Sequence, residues 1–159
     1  MKNLTYTLIA CLLTVSFGFA QVDNRVKSKL NRLKINYDQL KNGNFTINYR
    51  FTDTKRKQRI YISSKISKFG GLEVREIYSL IWESKVPIPD NMLNQLLAYN
   101  GEVKLGTWKL EKTSSGEDIL YFSVKIDANA NLELFKDALT IVHKVADKWE
   151  KKLFNKDDF

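Results

Sequence analysis

The sequence predicts an α+β fold in the order α-β-β-β-α-β-β-α, an antiparallel five-stranded sheet with helices packed on one face. Three observations carry this. Apolar and polar residues alternate in Phe45-Thr46-Ile47-Asn48-Tyr49-Arg50-Phe51, the period of a strand with one buried face. Apolar residues recur at three and four in Phe135, Ala138, Leu139, Val142, Val145, Ala146, Trp149 and Leu153, the period of an amphipathic helix. A helix over 132–154 would be about 34 Å long, against about 24 Å for the width of five strands. One helix can therefore cover the sheet from edge to edge.

Each element has a local reason. Asp23 is placed to cap a first helix over 24–34, in which Val26, Leu30 and Leu33 fall at helical spacing. Asn42-Gly43-Asn44 then turns the chain into the Phe45 strand. A basic turn leads to a second strand, 59–66, with Ile60 and Ile62 inward, and Phe69-Gly70-Gly71 supplies another turn. Residues 73–83 alternate less cleanly, and Val74, Ile77, Leu80, Ile81 and Trp82 would also suit a helix face. The density of β-formers in Ile77-Tyr78-Ser79-Leu80-Ile81-Trp82, and the need of two strands for a third, favour a strand. Pro87-Ile88-Pro89 is a rigid connector. Asp90 is expected to cap a second helix carrying Met92, Leu93, Leu96, Leu97 and Tyr99 and closing at Asn100-Gly101. Strands over 103–111 and 119–126 follow, joined by a polar turn. Asn131 caps the long last helix.

The first 20 residues read as a secretory signal peptide. Met1-Lys2-Asn3 carries one positive charge, the stretch from Leu4 to Phe19 is largely apolar, and Gly18-Phe19-Ala20 places small residues where a signal peptidase cuts. Residues 21–159 then form a single exported domain, periplasmic or secreted. Leu8-Ile9-Ala10-Cys11 also matches a lipobox, which would make Cys11 a lipidated first residue, but only about seven apolar residues precede it. Cleavage at Ala20 instead removes the chain's 1 Cys. Disulfide chemistry would leave with it.

Charge is unevenly placed. The whole chain has 26 basic and 18 acidic side chains. Residues 21–70 hold 13 basic and 3 acidic, and residues 71–159 hold 12 and 15. Arg50, Lys55, Arg56, Lys57, Arg59, Lys65 and Lys68 form the densest run. Such a run either steers an anionic partner, outside the cytoplasm a lipid, a glycan or an acidic protein, or is a solvated hairpin tip. An exported chain is not expected to meet nucleic acid.

One segment resembles a known family. Leu96-Leu97-Ala98-Tyr99-Asn100-Gly101-Glu102-Val103-Lys104-Leu105-Gly106-Thr107-Trp108-Lys109-Leu110, with a hairpin and a helix ending Val145-Ala146-Asp147-Lys148-Trp149, is similar to the type III secretion chaperone-like superfamily, in particular its YbjN-like branch of sensory transduction regulators. The resemblance covers about 60 residues in sequence, and the first half only in element order. It implies a protein-binding or regulatory domain, often dimeric, with no catalytic site. An export signal departs from that superfamily's cytosolic chaperones. In physical terms, Asn100 suits the left-handed residue that closes a helix, and Gly106 lets backbones approach closely.

The residue types that carry catalysis or bind metals and cofactors are sparse and poorly spaced for either. A Ser or Cys nucleophile needs a nearby base, and the 1 His, His143, falls off the Phe135/Val142/Trp149 stripe, so it reads as solvated beside Lys144. No phosphate loop follows Gly101 or Gly106. Asp127-Ala128-Asn129-Ala130-Asn131 begins like a calcium loop but lacks its glycine and distal Glu. No catalytic residue, metal ligand or cofactor is therefore assigned, and the chain reads as a binding domain rather than an enzyme. Tyr78, Trp82, Trp108 and Tyr121 are the candidate interface aromatics. On an uncovered sheet face they would form an apolar patch for a second copy or a protein partner. The alternative is an envelope-surface module that binds anionic lipid or glycan through the basic 50–68 hairpin.

Overall fold

In a computed structural model, which describes residues 22–155 and 157–159, the architecture is built around one 13-residue strand, β5 (Leu72–Ser84). The others, in chain order, are β1 (Asp38–Gln39), β2 (Phe45–Arg50), β3 (Lys57–Ile62), β4 (Ser67–Phe69), β6 (Thr107–Lys112) and β7 (Asp118–Asp127). Every pairing is antiparallel, the sheet runs β1-β2-β3-β5-β7-β6, and β4 pairs with β5 off this path. The five expected strands are all present. The sheet nevertheless has seven, because β1 and β4 are two- and three-residue strands, too short to show a period. The expected second strand, 59–66, divides accordingly into β3 and the approach to β4.

Three helices, α1 (Asn24–Arg32), α2 (Asp90–Glu102) and α3 (Leu132–Phe154), bury their apolar sides in one core with the inward residues of the strands. α3 lies across β3, β5 and β7, and Phe135, Ala138, Leu139, Val142, Ala146 and Trp149 are its buried stripe. Asn131 caps it, its Oδ1 accepting the Leu134 N–H at 2.8 Å. Asp23 caps α1 by accepting the Arg25 N–H at 2.9 Å.

The two ends of α2 differ from those the sequence suggests. Pro89, not Asp90, holds the N-cap position of α2 and makes no side-chain bond there. Asp90 instead stands in the first turn, where its charge suits the helix dipole. Asn100 does not close that helix, which runs on to Glu102. Gly106 does permit a close approach: at φ 101°, an added Cβ would sit 2.8 Å from Phe122 Cε1 and 3.0 Å from the Ser123 carbonyl.

β5 carries a bulge. Leu80 pairs with Tyr121 and Trp82 with Leu120, leaving Ile81 as the extra residue. Before it, Arg75, Ile77 and Ser79 face the helices while Glu76, Tyr78 and Leu80 face away; after it, Trp82 is on the helix side.

Candidate binding face

With all helices on one side, the other side of the sheet carries no helix among the described residues. The register assembles its centre: Tyr61 pairs with Tyr78 and stands opposite it across β3–β5, and Tyr121 is the neighbour on β7. Tyr61 and Tyr78 stack at 5.2 Å and 13°, and Tyr78 meets Tyr121 at 5.4 Å and 58°. These offset and tilted contacts are the ones that ring quadrupoles favour. The rings form the floor of a groove of about 430 Å³, walled by Glu76 and Glu111.

The walls are wired to the floor. Glu76 accepts from Lys109 Nζ and from Ser123 Oγ, each at 2.5 Å, and the Tyr121 hydroxyl donates to Glu111. Burial would raise the Glu76 pKa, but the bonds from Lys109 and Ser123 outweigh it and lower the pKa, keeping the carboxylate ionised. Burial raises the Tyr78 pKa, and burial with the Glu111 bond raises that of Tyr121. Both phenols therefore stay neutral donors at ordinary pH. Fixed carboxylates, neutral phenols and ring faces suit recognition of polar and aromatic groups. They do not form a nucleophile–base pair.

The basic run is split by the fold. Arg50 and Lys57 are cross-strand partners, and Arg59, two residues before Tyr61, shares their face; its Nε donates to Asn48 Oδ1 at 3.0 Å. Like charges held side by side repel, so this end of the face is poised for an anion. Arg56 is different. It reaches α3, pairing with Asp147 at 2.5 Å and with Glu150 at 3.0 Å, and is a structural residue rather than part of a patch. Lys55 lies at the β2–β3 turn with φ 60°. Lys65 and Lys68 belong to the β4 side, away from Arg50. One hairpin therefore does not carry all seven.

Of the four candidate aromatics, Tyr78 and Tyr121 are on the open face and the two tryptophans are not. Trp82, turned by the bulge, stacks on Phe154 of α3 at 4.6 Å. Trp108 packs edge-on to Phe122 at 5.2 Å and to Trp149 at 6.2 Å within the core. Tyr61, the third ring of the groove, is signalled by its place in the β3 alternation, out of phase with Ile60 and Ile62.

Two buried ionisable side chains carry no local sequence signal. Arg75, only 1% exposed, donates to the Asp23 carboxylate and the Ser63 carbonyl. Arg25 joins Asp23 at 2.8 Å to Glu73 at 2.6 Å. Burial alone would raise the Asp23 pKa, but the bonds from Arg25 and Arg75 hold it well below the usual carboxylate range. Glu150 is 0% exposed. Burial, helped by Asp157 and Asp147 nearby, pushes its pKa up to about 7 against the opposing pull of the Asp158 N–H and Arg56. His143 is buried too, not solvated: it stacks on Tyr49 at 4.2 Å, and its Nδ1 is 2.9 Å from the Leu139 carbonyl. Burial lowers its pKa, so it is a neutral core ring.

The sheet edges are less available than the face. β1 has two residues. On the outer edge of β6, the Asn100 amide accepts the Trp108 N–H at 2.6 Å and donates to the Trp108 carbonyl at 3.3 Å, imitating a neighbouring strand. Among the described residues, no group of three or more His, Cys, Asp or Glu could hold a metal. No described helix is long and apolar enough to cross a membrane.

Fold and face together define an α+β domain with one helix-covered and one open, tyrosine-floored sheet surface. No family model matches the chain, and no curated protein matches it. Among solved structures it is similar to YbjN from E. coli, described as a candidate transcription regulator, at 10% identity and a TM-score of 0.49, with 80% of this chain and 86% of that one covered.

Proposed function

We propose that the chain is an exported, non-catalytic binding domain that holds a protein partner on its open sheet face, with an acidic, aromatic-containing segment as the occupant. The carrying observation is the Tyr61–Tyr78 stack, with the mostly buried Tyr121 tilted against it, beside Arg50, Lys57 and Arg59, whose side chains make no ion pair among the described residues. Rings offer rigid contact area at low entropic cost, and the cations give an acidic segment its direction. The blocked β6 edge favours the face over strand addition. Export rests on the apolar leader ending Gly18-Phe19-Ala20, which lies outside the described residues. Lipidation at Cys11 is the competing outcome, and the mass of the mature amino terminus separates the two.

Selection from a random-peptide display library tests the binding reading. The expected result is enrichment of acidic peptides with aromatic residues. Their binding should fall at least tenfold in Tyr78→Ser and in Arg59→Glu, and weaken as added salt shortens the screening length from about 10 Å to about 3 Å. Peptides indifferent to both substitutions would place binding elsewhere. Concentration-dependent self-association lost in Tyr78→Ser would make a second copy the occupant.

A further inference from the structure

We infer that the β4–β5 hairpin is a docking finger for an anionic lipid surface, a site separate from the open sheet face. β4 is exposed along its whole length and pairs only with β5. Phe69 and Leu72 are cross-strand partners at its tip, 82% and 44% exposed, with Gly70 at φ 56° between them. A Cβ added at Gly70 or Gly71 would meet nothing within 4 Å, so the tip stands in open space. The pairing of β5 with β7 begins at Val74 and the Ala128 N–H still bonds the Glu73 carbonyl at 2.7 Å, so Leu72 and Gly71 overhang that support by two residues, about 7 Å.

That reach matches the depth of roughly 5–10 Å at which apolar side chains enter the boundary between headgroups and acyl chains. Cations stand where phosphates would then lie. From Ser63 to Leu72 the chain carries Lys65 and Lys68 and no acidic residue. The Lys68 side chain is 75% exposed, and its nearest carboxylate, Glu73 at the base of the hairpin, is 4.0 Å away. An apolar tip backed by exposed Lys65 and by Lys68, whose contact with Glu73 is long and solvent-screened, is complementary to a negatively charged bilayer. A pocket in a protein would need no cation behind the ring. Two apolar residues and two lysines make a reversible contact, not an anchor.

The test is co-sedimentation of the chain from Gln21 onward, which contains every strand, helix and core residue described, with vesicles of phosphatidylcholine alone or mixed equally with phosphatidylglycerol. Binding is expected to the mixed vesicles only. Combined F69S and L72S should lower the partition coefficient at least tenfold, and K65Q and K68Q about fivefold each. None should change the melting temperature, because the four side chains are exposed. In F69W, brominated acyl chains should quench tryptophan emission well beyond the level in the parent, whose three tryptophans lie on the helix side of the sheet. Absence of binding to mixed vesicles overturns the inference, as does binding untouched by F69S and L72S or unquenched F69W. A protein ligand lost in F69S without any vesicle binding would also overturn it, in favour of a protein partner.

Discussion

Replacing Glu150 with Gln should remove a loss of stability that sets in between acid and neutral pH, by a predictable amount. Glu150 is fully buried, with one guanidinium, Arg56, shared between it and Asp147. Its folded pKa of about 7 lies above its ordinary 4.5. Between those values the folded state binds a proton that the unfolded state has released, so the contribution is complete below about pH 4.5 and is lost as the pH rises through 7. A shift of this size corresponds to about 3 kcal/mol. Other groups titrate as well: His143, its pKa lowered by burial, contributes in the opposite sense, and Asp23 and Glu76, held below their ordinary values, lose their contribution in acid. The readout is therefore the difference between parent and Glu150→Gln in urea unfolding at a series of pH values. The glutamine keeps an acceptor for the Asp158 N–H, which lies 2.9 Å from Glu150 Oε1. In acid the two proteins should agree within about 1 kcal/mol, since Gln mimics the protonated acid. Above neutrality the variant should be the more stable by about 3 kcal/mol. A flat difference, or a parent that gains on the variant as pH rises, would mean that Glu150 is ionised in the fold and paired with Arg56, and would refute the reasoning.

Gly106→Ala should cost about 4 kcal/mol, combining a positive φ unsuited to alanine with overpacking against the Phe122 ring, and thermal unfolding measures it. Asn100→Ala should cost about 1–3 kcal/mol for the two lost bonds to Trp108. It should also promote concentration-dependent association in light scattering, because it bares the outer edge of β6; unchanged monodispersity would show that the edge is protected by something else. Serine at Tyr78, outside the helix-covered core, should alter peptide binding far more than the melting temperature.

Regular patterns were legible in the sequence, and the exceptions to them carry the site. The stripe of α3 and its Asn131 cap are local features, and they lie where the spacing puts them. The segment around Leu80 looked ambiguous between strand and helix for a physical reason. A bulge at Ile81 shifts the alternation by one residue, so Leu80, Ile81 and Trp82 read as consecutive apolar positions. The same shift takes Trp82 off the open face, which no count of aromatics could reveal. His143 lies off the sheet-facing stripe, yet Tyr49 and Phe51 reach round to cover it at 4.2 and 5.5 Å; a helix covered on two sides has a wider buried arc than one seam suggests. Arg56 and Arg75 were hidden because their partners, Asp147, Glu150 and Asp23, lie 91, 94 and 52 residues away. Tyr61 and Tyr78 were assembled by cross-strand register, which depends on the turn geometry between strands rather than on either segment alone.

The bond from Arg75 to Asp23 fixes where the polypeptide joins the sheet, and hence how anything fused ahead of it would be carried. Val22, Asp23 and Arg25 border the same cleft as Lys65, Lys68 and Glu73. A tag, fluorophore or tether placed ahead of Val22 therefore emerges beside the β4–β5 hairpin and would compete with it for space, or turn it toward whatever holds the tether. The other terminus is no neutral choice either, because Asp157 accepts the Lys57 N–H at 2.9 Å and the Asp158 N–H bonds to Glu150. A label that leaves both ends undisturbed belongs in the exposed turn between β6 and β7, at Ser114 or Ser115.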